Sequence, residues 1–373
     1  MSLNHNKITG SAGGTRQKPR VVPGPARRHR GNRCLLAAGW IFLATSPETV
    51  RAQSAELFFE GVLLVDPAPP AEVVVPVSAG NAMGGGQNAM GMNATGNAMG
   101  GGGQGGMGAG AGTSDEPAPV QFFMPAERRS EVALVLIPGG GLPSWSYTTT
   151  PDGREGWAQQ FARAGVPVYL MNPPAGFREE LGRWNRETVW PLWGMGPEFG
   201  TPYPDGKHPV EAIDNLQASF YIARAPGGAA HLRSLLDEVG PAVVLAHSAG
   251  GAAMFSAARA LHPNLRGTIA VETTNCPTDE AALATIYVED SRAFLSLWGD
   301  NLDRGAPSML TRYASCRQAG DIVSAAGGSA QTIHLPEDRG IAGNTHLMMQ
   351  DRNNTEIGEM ILEWIGSEFG GME

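Results

Sequence analysis

PAVVLAHSAGGAAMF, residues 241–255, joins an apolar run to a run of small residues through a single hydroxyl. Val243, Val244, Leu245 and Ala246 make the short β-branched and apolar run of a parallel strand buried on both faces. Ala249 to Ala253 are small residues that open a helical pattern reaching about Leu261. Gly250 and Gly251 let helix and strand backbones approach closely around the turn between them. Ser248 is therefore expected on a tight strand-to-helix elbow, its hydroxyl above the sheet and the helix N-terminus beneath it. Ala246-His247-Ser248-Ala249-Gly250 departs from Gly-x-Ser-x-Gly at its first position, where alanine is the smallest residue that still carries a side chain. A plain helix cap would use the same serine, so partners elsewhere decide whether Ser248 is a nucleophile.

Outward from the elbow, strands alternate with helices. Apolar runs at 55–65, 120–126, 132–137, 166–171, 265–271, 293–298 and 331–335 read as strands. Helical patterns fall at 153–164, where Trp157, Phe161 and Ala164 share a side, and at 209–224, 307–319 and 355–369. This alternation predicts an α/β chain with an open, mostly parallel sheet, helices on both faces, and a site at the carboxyl ends of the strands. Residues 172–232 interrupt it, with Trp184, Trp190, Trp193 and Phe199 among turn-forming residues. Such a segment suits a cap over an apolar pocket, for which Trp145, Trp190 and Trp193 are the candidate lining residues, or equally a satellite core beneath a long loop.

The chain has 373 residues, 42% of them hydrophobic, ample for a sizeable core. Its formal charge of -9 is unevenly spread: residues 1–52 carry 9 of the 27 Lys and Arg and 1 of the 36 acids, so the rest stands at -17. That acidic remainder argues against nucleic acid or an anionic membrane surface as partner. The basic leader precedes CLLAAGWIFLATS at 34–46, an apolar segment too short to span a bilayer, and then Val50-Arg51-Ala52. Residues 1–52 are thus expected to be a signal peptide, with 53–373 secreted or periplasmic and without stable membrane insertion. Residues 81–112 are nearly all Gly, Ala, Asn, Met and Gln, with GNAMGGG starting at both Gly80 and Gly96. They read as a disordered insertion within one domain, and their methionines lack the Cys or His that a copper site would add. Cys276 and Cys316 remain after Cys34 is lost with the leader. In an oxidising compartment such an even pair suggests a disulfide, stabilising by about 3 to 4 kcal/mol in the chain-entropy model.

A serine becomes a nucleophile when a base takes its proton, and the base needs an acid to fix its tautomer. His346, in the loop between the last strand and last helix, is the best-placed base; His334 lies inside a strand, and the side chain of His247 should point away from its neighbour Ser248. For the acid, general pattern favours Asp303, in the loop after the penultimate strand, over Glu272 at the end of the strand before it. Two amide donors must hold the tetrahedral oxygen: Ala249, after the nucleophile, supplies one, and Gly140 or Gly141 the other. Gly139-Gly140-Gly141 lacks the spacing of a phosphate-binding loop, no cysteine or histidine spacing suits a metal, and no cofactor is implied.

Residues 142–156, with Thr149-Thr150-Pro151-Asp152-Gly153-Arg154 and Gly156-Trp157, together with Gly343-Asn344-Thr345-His346 and Gln350-Asp351-Arg352-Asn353-Asn354, resemble a small family of bacterial α/β-hydrolase esterases. The resemblance covers roughly residues 120–364. It implies an α/β-hydrolase fold and carboxylic ester hydrolysis on a small-molecule substrate, with Ser248 as nucleophile, His346 as base and Glu272 as acid. The family usually begins its oxyanion loop with His-Gly, where this chain has Pro138-Gly139. Two other readings keep the same residues: an amidase or other acyl hydrolase, and a binding protein that retained the fold without activity.

Overall fold

The computed structural model describes residues 58–68, 117–172, 185–220 and 228–371. The expected leader over 1–52 and the glycine-rich tract over 81–112 lie outside the described residues. Eight strands form one sheet: β1 (Phe58–Val65), β2 (Ala118–Pro125), β3 (Ala133–Ile137), β4 (Val168–Met171), β5 (Ala242–His247), β6 (Leu265–Val271), β7 (Ala293–Trp298) and β8 (Ala330–His334). Their spatial order is β1-β2-β4-β3-β5-β6-β7-β8. β2 runs antiparallel to both β1 and β4, and every pairing from β4 across to β8 is parallel. The chain reverses its direction of travel between β3 and β5, which are hydrogen-bonded neighbours. A crevice at the carboxyl ends of a parallel sheet opens at such a switch point. Here the switch point lies between the glycines that follow β3 and the serine that follows β5.

Eight helices accompany the strands among the described residues: α1 (Trp157–Arg163), α2 (Arg186–Leu192), α3 (Ile213–Ala218), α4 (Ala229–Val239), α5 (Gly251–Arg259), α6 (Glu280–Leu283), α7 (Met309–Ala325) and α8 (Asn354–Phe369). Alternate residues of each strand serve different cores, as a period of two dictates. Leu134, Leu136, Val243 and Leu245 pack with Trp157 and Phe161 of α1 and with Ile361 and Trp364 of α8. Val135, Ile137, Val244 and Ala246 pack with Leu236 of α4, Met254 of α5 and Val323 of α7. The six residues of β5 are buried, Val243, Val244 and Leu245 at 0% exposure. Burying such a branched side chain contributes about 1.5 to 3 kcal/mol, so β5 is a rigid platform for whatever follows it. α4 begins inside the stretch that sequence reading gave to the interruption over 172–232; it turns in at Gly228, whose φ of 93° suits glycine, and buries Leu232, Leu235 and Leu236.

Cys276 and Cys316 are bridged, with Cα atoms 4.7 Å apart across a sequence separation of 40. The bond ties the loop after β6 to the first half of α7. Closing a loop of that length is worth about 4 kcal/mol in the chain-entropy model. Alkylation mapping of denatured, unreduced protein is therefore expected to leave both cysteines unlabelled, and the Cys276→Ala/Cys316→Ala double variant to unfold at a clearly lower denaturant midpoint. Equal midpoints would show that the bridge contributes nothing to stability.

Candidate active site

β5 ends at His247, and the next residue, Ser248, has φ 48°. That left-handed conformation costs a non-glycine residue about 1 to 3 kcal/mol unless its surroundings hold it. Three contacts do so. The Thr274 N–H donates to the Ser248 carbonyl at 3.1 Å. Gly139 lies so near that a Cβ there would sit 2.8 Å from Ser248 Cβ, and one on Gly250 would meet the Pro138 carbonyl at 2.8 Å. Alanine at 246 is accommodated for the same reason, its methyl buried against α5. Ser248 and Ala249 remain partly exposed.

The glycine loop after β3 faces this elbow. The Tyr147 hydroxyl donates to the Ile137 carbonyl at 2.9 Å, and the Ser144 N–H to Asn172 Oδ1 at 2.7 Å, fixing both ends of the loop. Gly141 has φ 81°, Gly140 is exposed, and a Cβ on Gly140 would stand 3.7 Å from Ala249 Cβ. Among the described residues, no acceptor takes the N–H of Gly140 or Gly141.

Glu272 occupies the same place after β6 that Ser248 occupies after β5, again with positive φ, 40°. Its N–H donates to the Leu297 carbonyl at 3.0 Å. One carboxylate oxygen, Oε1, accepts the Gly299 N–H at 2.7 Å; the other, Oε2, is 2.6 Å from His346 Nδ1. Gly299 must be glycine, because a Cβ would lie 2.8 Å from Oε1. The two side chains are 1% and 9% exposed. Burial penalises both charged forms, so the Glu272 carboxyl rises above the usual carboxylate range, opposed by the Gly299 N–H, and the His346 imidazole falls, with Arg312 adding to the fall. Asp303, the acid that general pattern favoured, is 67% exposed beside Arg304 and does not reach His346. Asp300 organises the loop instead, accepting the N–H groups of Asn301 and Gly343.

The His346 loop is built around Asp351, whose side chain is fully buried. Its Oδ2 accepts from Asn344 Nδ2 and the Thr345 N–H at 3.0 and 2.7 Å; its Oδ1 accepts from Thr345 Oγ1 at 2.8 Å and lies 3.2 Å from His208 Nδ1. Arg154 closes the loop from outside, donating to the carbonyls of Gln350, Asp351 and Arg352 and to Asn354 Oδ1 while paired with Asp152. The two motifs that carry the family resemblance thus meet in space as a bracket on the loop that holds His346. His346 itself is fixed through its backbone: its N–H donates to the Trp193 carbonyl at 3.0 Å, and its carbonyl lies 2.8 Å from His247 Nε2. His247, which sequence reading pointed away from the serine, packs its ring on His346 with centroids 4.5 Å apart. Neither Asp351 nor His208 was singled out as a candidate in the sequence; a buried acid inside a turn-rich loop was the available signal.

Of the tryptophans expected to line a pocket, Trp190 and Trp193 are 3% and 4% exposed and belong to the core. Trp190 stands edge-on to Phe199 and Trp193 edge-on to Phe220. Their rings pack in the same core as Val189, Met195, Ile213, Leu216 and Phe220 of the 185–220 segment. Trp145 is 43% exposed. Among the described residues, no group of His, Cys, Asp and Glu could hold a metal ion, and no helix is long and apolar enough to cross a membrane.

No family model matches the chain. Among curated proteins it is similar to "Probable secreted lipase phiG" of Fungal sp. (strain ATCC 74256), at 27% identity over 315 residues, covering 66% of this chain and 85% of that one. Among solved structures it is similar to a novel bacterial esterase determined at atomic resolution, with TM-score 0.63 and 23% identity over 83% of this chain and 96% of that one. With its sheet order and its helices on both faces, the chain has an α/β-hydrolase fold.

Proposed function

We propose that the protein is an exported carboxylic ester hydrolase that works through an acyl-enzyme on Ser248, with His346 as general base and Glu272 as the acid that orients it. The observation that carries this reading is the 2.6 Å contact between His346 Nδ1 and Glu272 Oε2, buried beside a strained serine elbow. A carboxylate there holds the proton on Nδ1, leaving Nε2 free to accept one. Ser248 Oγ attacks the ester carbonyl as its proton passes to Nε2, giving a tetrahedral oxyanion and an imidazolium next to the Glu272 carboxylate. The imidazolium returns the proton to the departing alcohol, and water repeats the sequence on the acyl-serine to release the acid. The N–H groups of Ala249 and of Gly140 or Gly141 would hold the oxyanion, each worth about 2.7 to 4 kcal/mol by substitution. The scheme uses no metal or organic cofactor. The similarity to proteins named lipase and esterase supports ester rather than amide substrates. The basic leader and the name of the lipase relative support export with a mature N-terminus near Gln53.

A fluorophosphonate probe is expected to label the wild type at Ser248 and to leave Ser248→Ala unlabelled; an unlabelled wild type refutes an activated serine. Glu272→Gln should keep the fold and lower kcat on the order of 10⁴-fold, as the matching amide swap does in serine proteases, whereas Asp303→Asn should stay within about threefold of wild type. A near-normal Glu272→Gln beside a dead, folded Asp303→Asn would move the acid role to Asp303.

The active form carries Glu272 ionised and His346 neutral, so taking up one proton on the pair abolishes activity. Burial pushes the carboxyl up to about 8 and pulls the imidazole down, so the pair takes up its proton well above the ordinary carboxylate range. Activity is therefore lost as pH falls, and kcat/KM should drop about tenfold per pH unit below an inflection near the raised carboxyl value, about 8. An inflection in the ordinary carboxylate range would show that burial does not raise the carboxyl.

A further inference from the structure

We infer that His247 is a positioning residue that locks the nucleophile elbow to the base loop through a single N–H, with its ring packed against the glycine loop. The inference rests on the roles proposed above for Ser248 and His346. His247 is 1% exposed, directly precedes Ser248, and places Nε2 2.8 Å from the His346 carbonyl oxygen. A carbonyl oxygen can only accept, so Nε2 carries the proton and Nδ1 is the bare nitrogen. That Nδ1 is buried with no hydrogen-bond partner among the described residues, and it faces the glycine loop: a Cβ on Gly139 would approach it to 2.5 Å. The ring also packs on the His346 ring, centroids 4.5 Å apart and planes at 47°.

An apolar side chain of similar size would fill this space without burying an unsatisfied nitrogen. What it would lack is the N–H to the His346 carbonyl. With the Trp193 carbonyl on the His346 amide and Glu272 on Nδ1, that N–H completes three anchors on one residue. The ring can then neither tilt nor withdraw from the elbow, because the residue that holds it is covalently next to the serine. Burial, His346 and Arg312 all disfavour a proton on Nδ1, so the imidazole stays neutral and its single donor stays aimed at the carbonyl. A displacement of about 1 Å in the base is enough to cost about 100-fold in rate, and this contact joins the residue before the nucleophile directly to the backbone of the base.

The test compares full-length His247→Leu, which loses the donor, with His247→Gln, whose side-chain amide reaches the place of Nε2. On p-nitrophenyl esters, His247→Leu is expected to lose about 100-fold in kcat with KM within about threefold, and His247→Gln to regain at least about tenfold of that loss. In proton NMR, the downfield resonance of the His346 Nδ1–H should persist in the wild type, in Ser248→Ala and in His247→Gln, and broaden or vanish in His247→Leu while the melting temperature stays within a few degrees. The resonance reads the positioning with no substrate present, so an enzyme inert on esters would defeat the proposed function and leave this measurement decisive. A folded His247→Leu with wild-type kcat and resonance, or a His247→Gln as impaired as His247→Leu, overturns the inference. Should His247→Leu fail to fold, His247→Asn takes its place: its shorter amide cannot reach the carbonyl, and retention of resonance and rate by asparagine would count against it in the same way.

Discussion

A carboxyl and an imidazole held 2.6 Å apart in a nearly dry interior make an expensive pair, and much of the surrounding architecture exists to keep them there. Taking an ionised carboxyl out of water costs several kcal/mol after relaxation. The Gly299 N–H returns about 1.5 to 3 kcal/mol as a bond to a charged group. Desolvation wins, which is why burial raises the carboxyl and lowers the imidazole rather than stabilising separated charges. A pair that gains so little by itself must be assembled by its scaffold. Its partners are accordingly backbone groups and buried side chains with few other conformations: Gly299 at the end of β7, the Trp193 carbonyl, and the Asp351 cage around the loop.

The scaffold spends conformational strain at three neighbouring places. Ser248, Glu272 and Asn301 follow β5, β6 and β7, and each is a non-glycine residue with positive φ, at 48°, 40° and 59°. At about 1 to 3 kcal/mol each, the three turns together approach the stability of a small domain, so they survive by supporting one another. The Thr274 amide holds the Ser248 carbonyl, Gly251 at the start of α5 abuts Thr273, and the disulfide begins at Cys276, two residues farther on. The serine elbow and the loop that begins at Glu272 are in this sense one object. Restraining Cys276 against α7 restrains the backbone on which the serine turn leans.

The elbow was legible in sequence because its causes are local: an apolar run ends at 246, and glycines follow within five residues. The strand ends were legible for the same reason, and β6, β7 and the last helix fall within a residue of where periodicity puts them. The carboxylate partner of His346 was not, because strand periodicity says where a strand stops and nothing about what its last side chain reaches. Asp303 sits in a loop with two acids and an amide, which pattern alone favours, yet the chain turns it to solvent. Here the resemblance pointed to Glu272, the residue that lies against His346. The cage around His346 was hidden for a further reason: Arg154 and Asn354 are 200 residues apart, and His208 and Asp351 are 143 apart. Hydrogen bonds at that separation leave no periodic trace. What His247 reaches was hidden as well, because its partner is the His346 carbonyl, 99 residues farther along the chain.

The segment between β4 and α4 interrupts the strand-helix alternation, and a natural expectation is that it acts as a movable cover. Its contacts argue otherwise. It supplies the Trp193 carbonyl to the His346 amide, the Lys207 amide to the Gly343 carbonyl, and the Lys207 and His208 carbonyls to Arg352. Trp190 and Trp193 are buried in the same core that α1 and α8 close over the sheet. Moving this part of the segment would break backbone bonds to the loop that carries His346 and expose two indoles, so its described residues 185–220 behave as a second wall of the scaffold around His346. Substitutions there that loosen Trp190 or Trp193 would at the same time shift the backbone that holds His346.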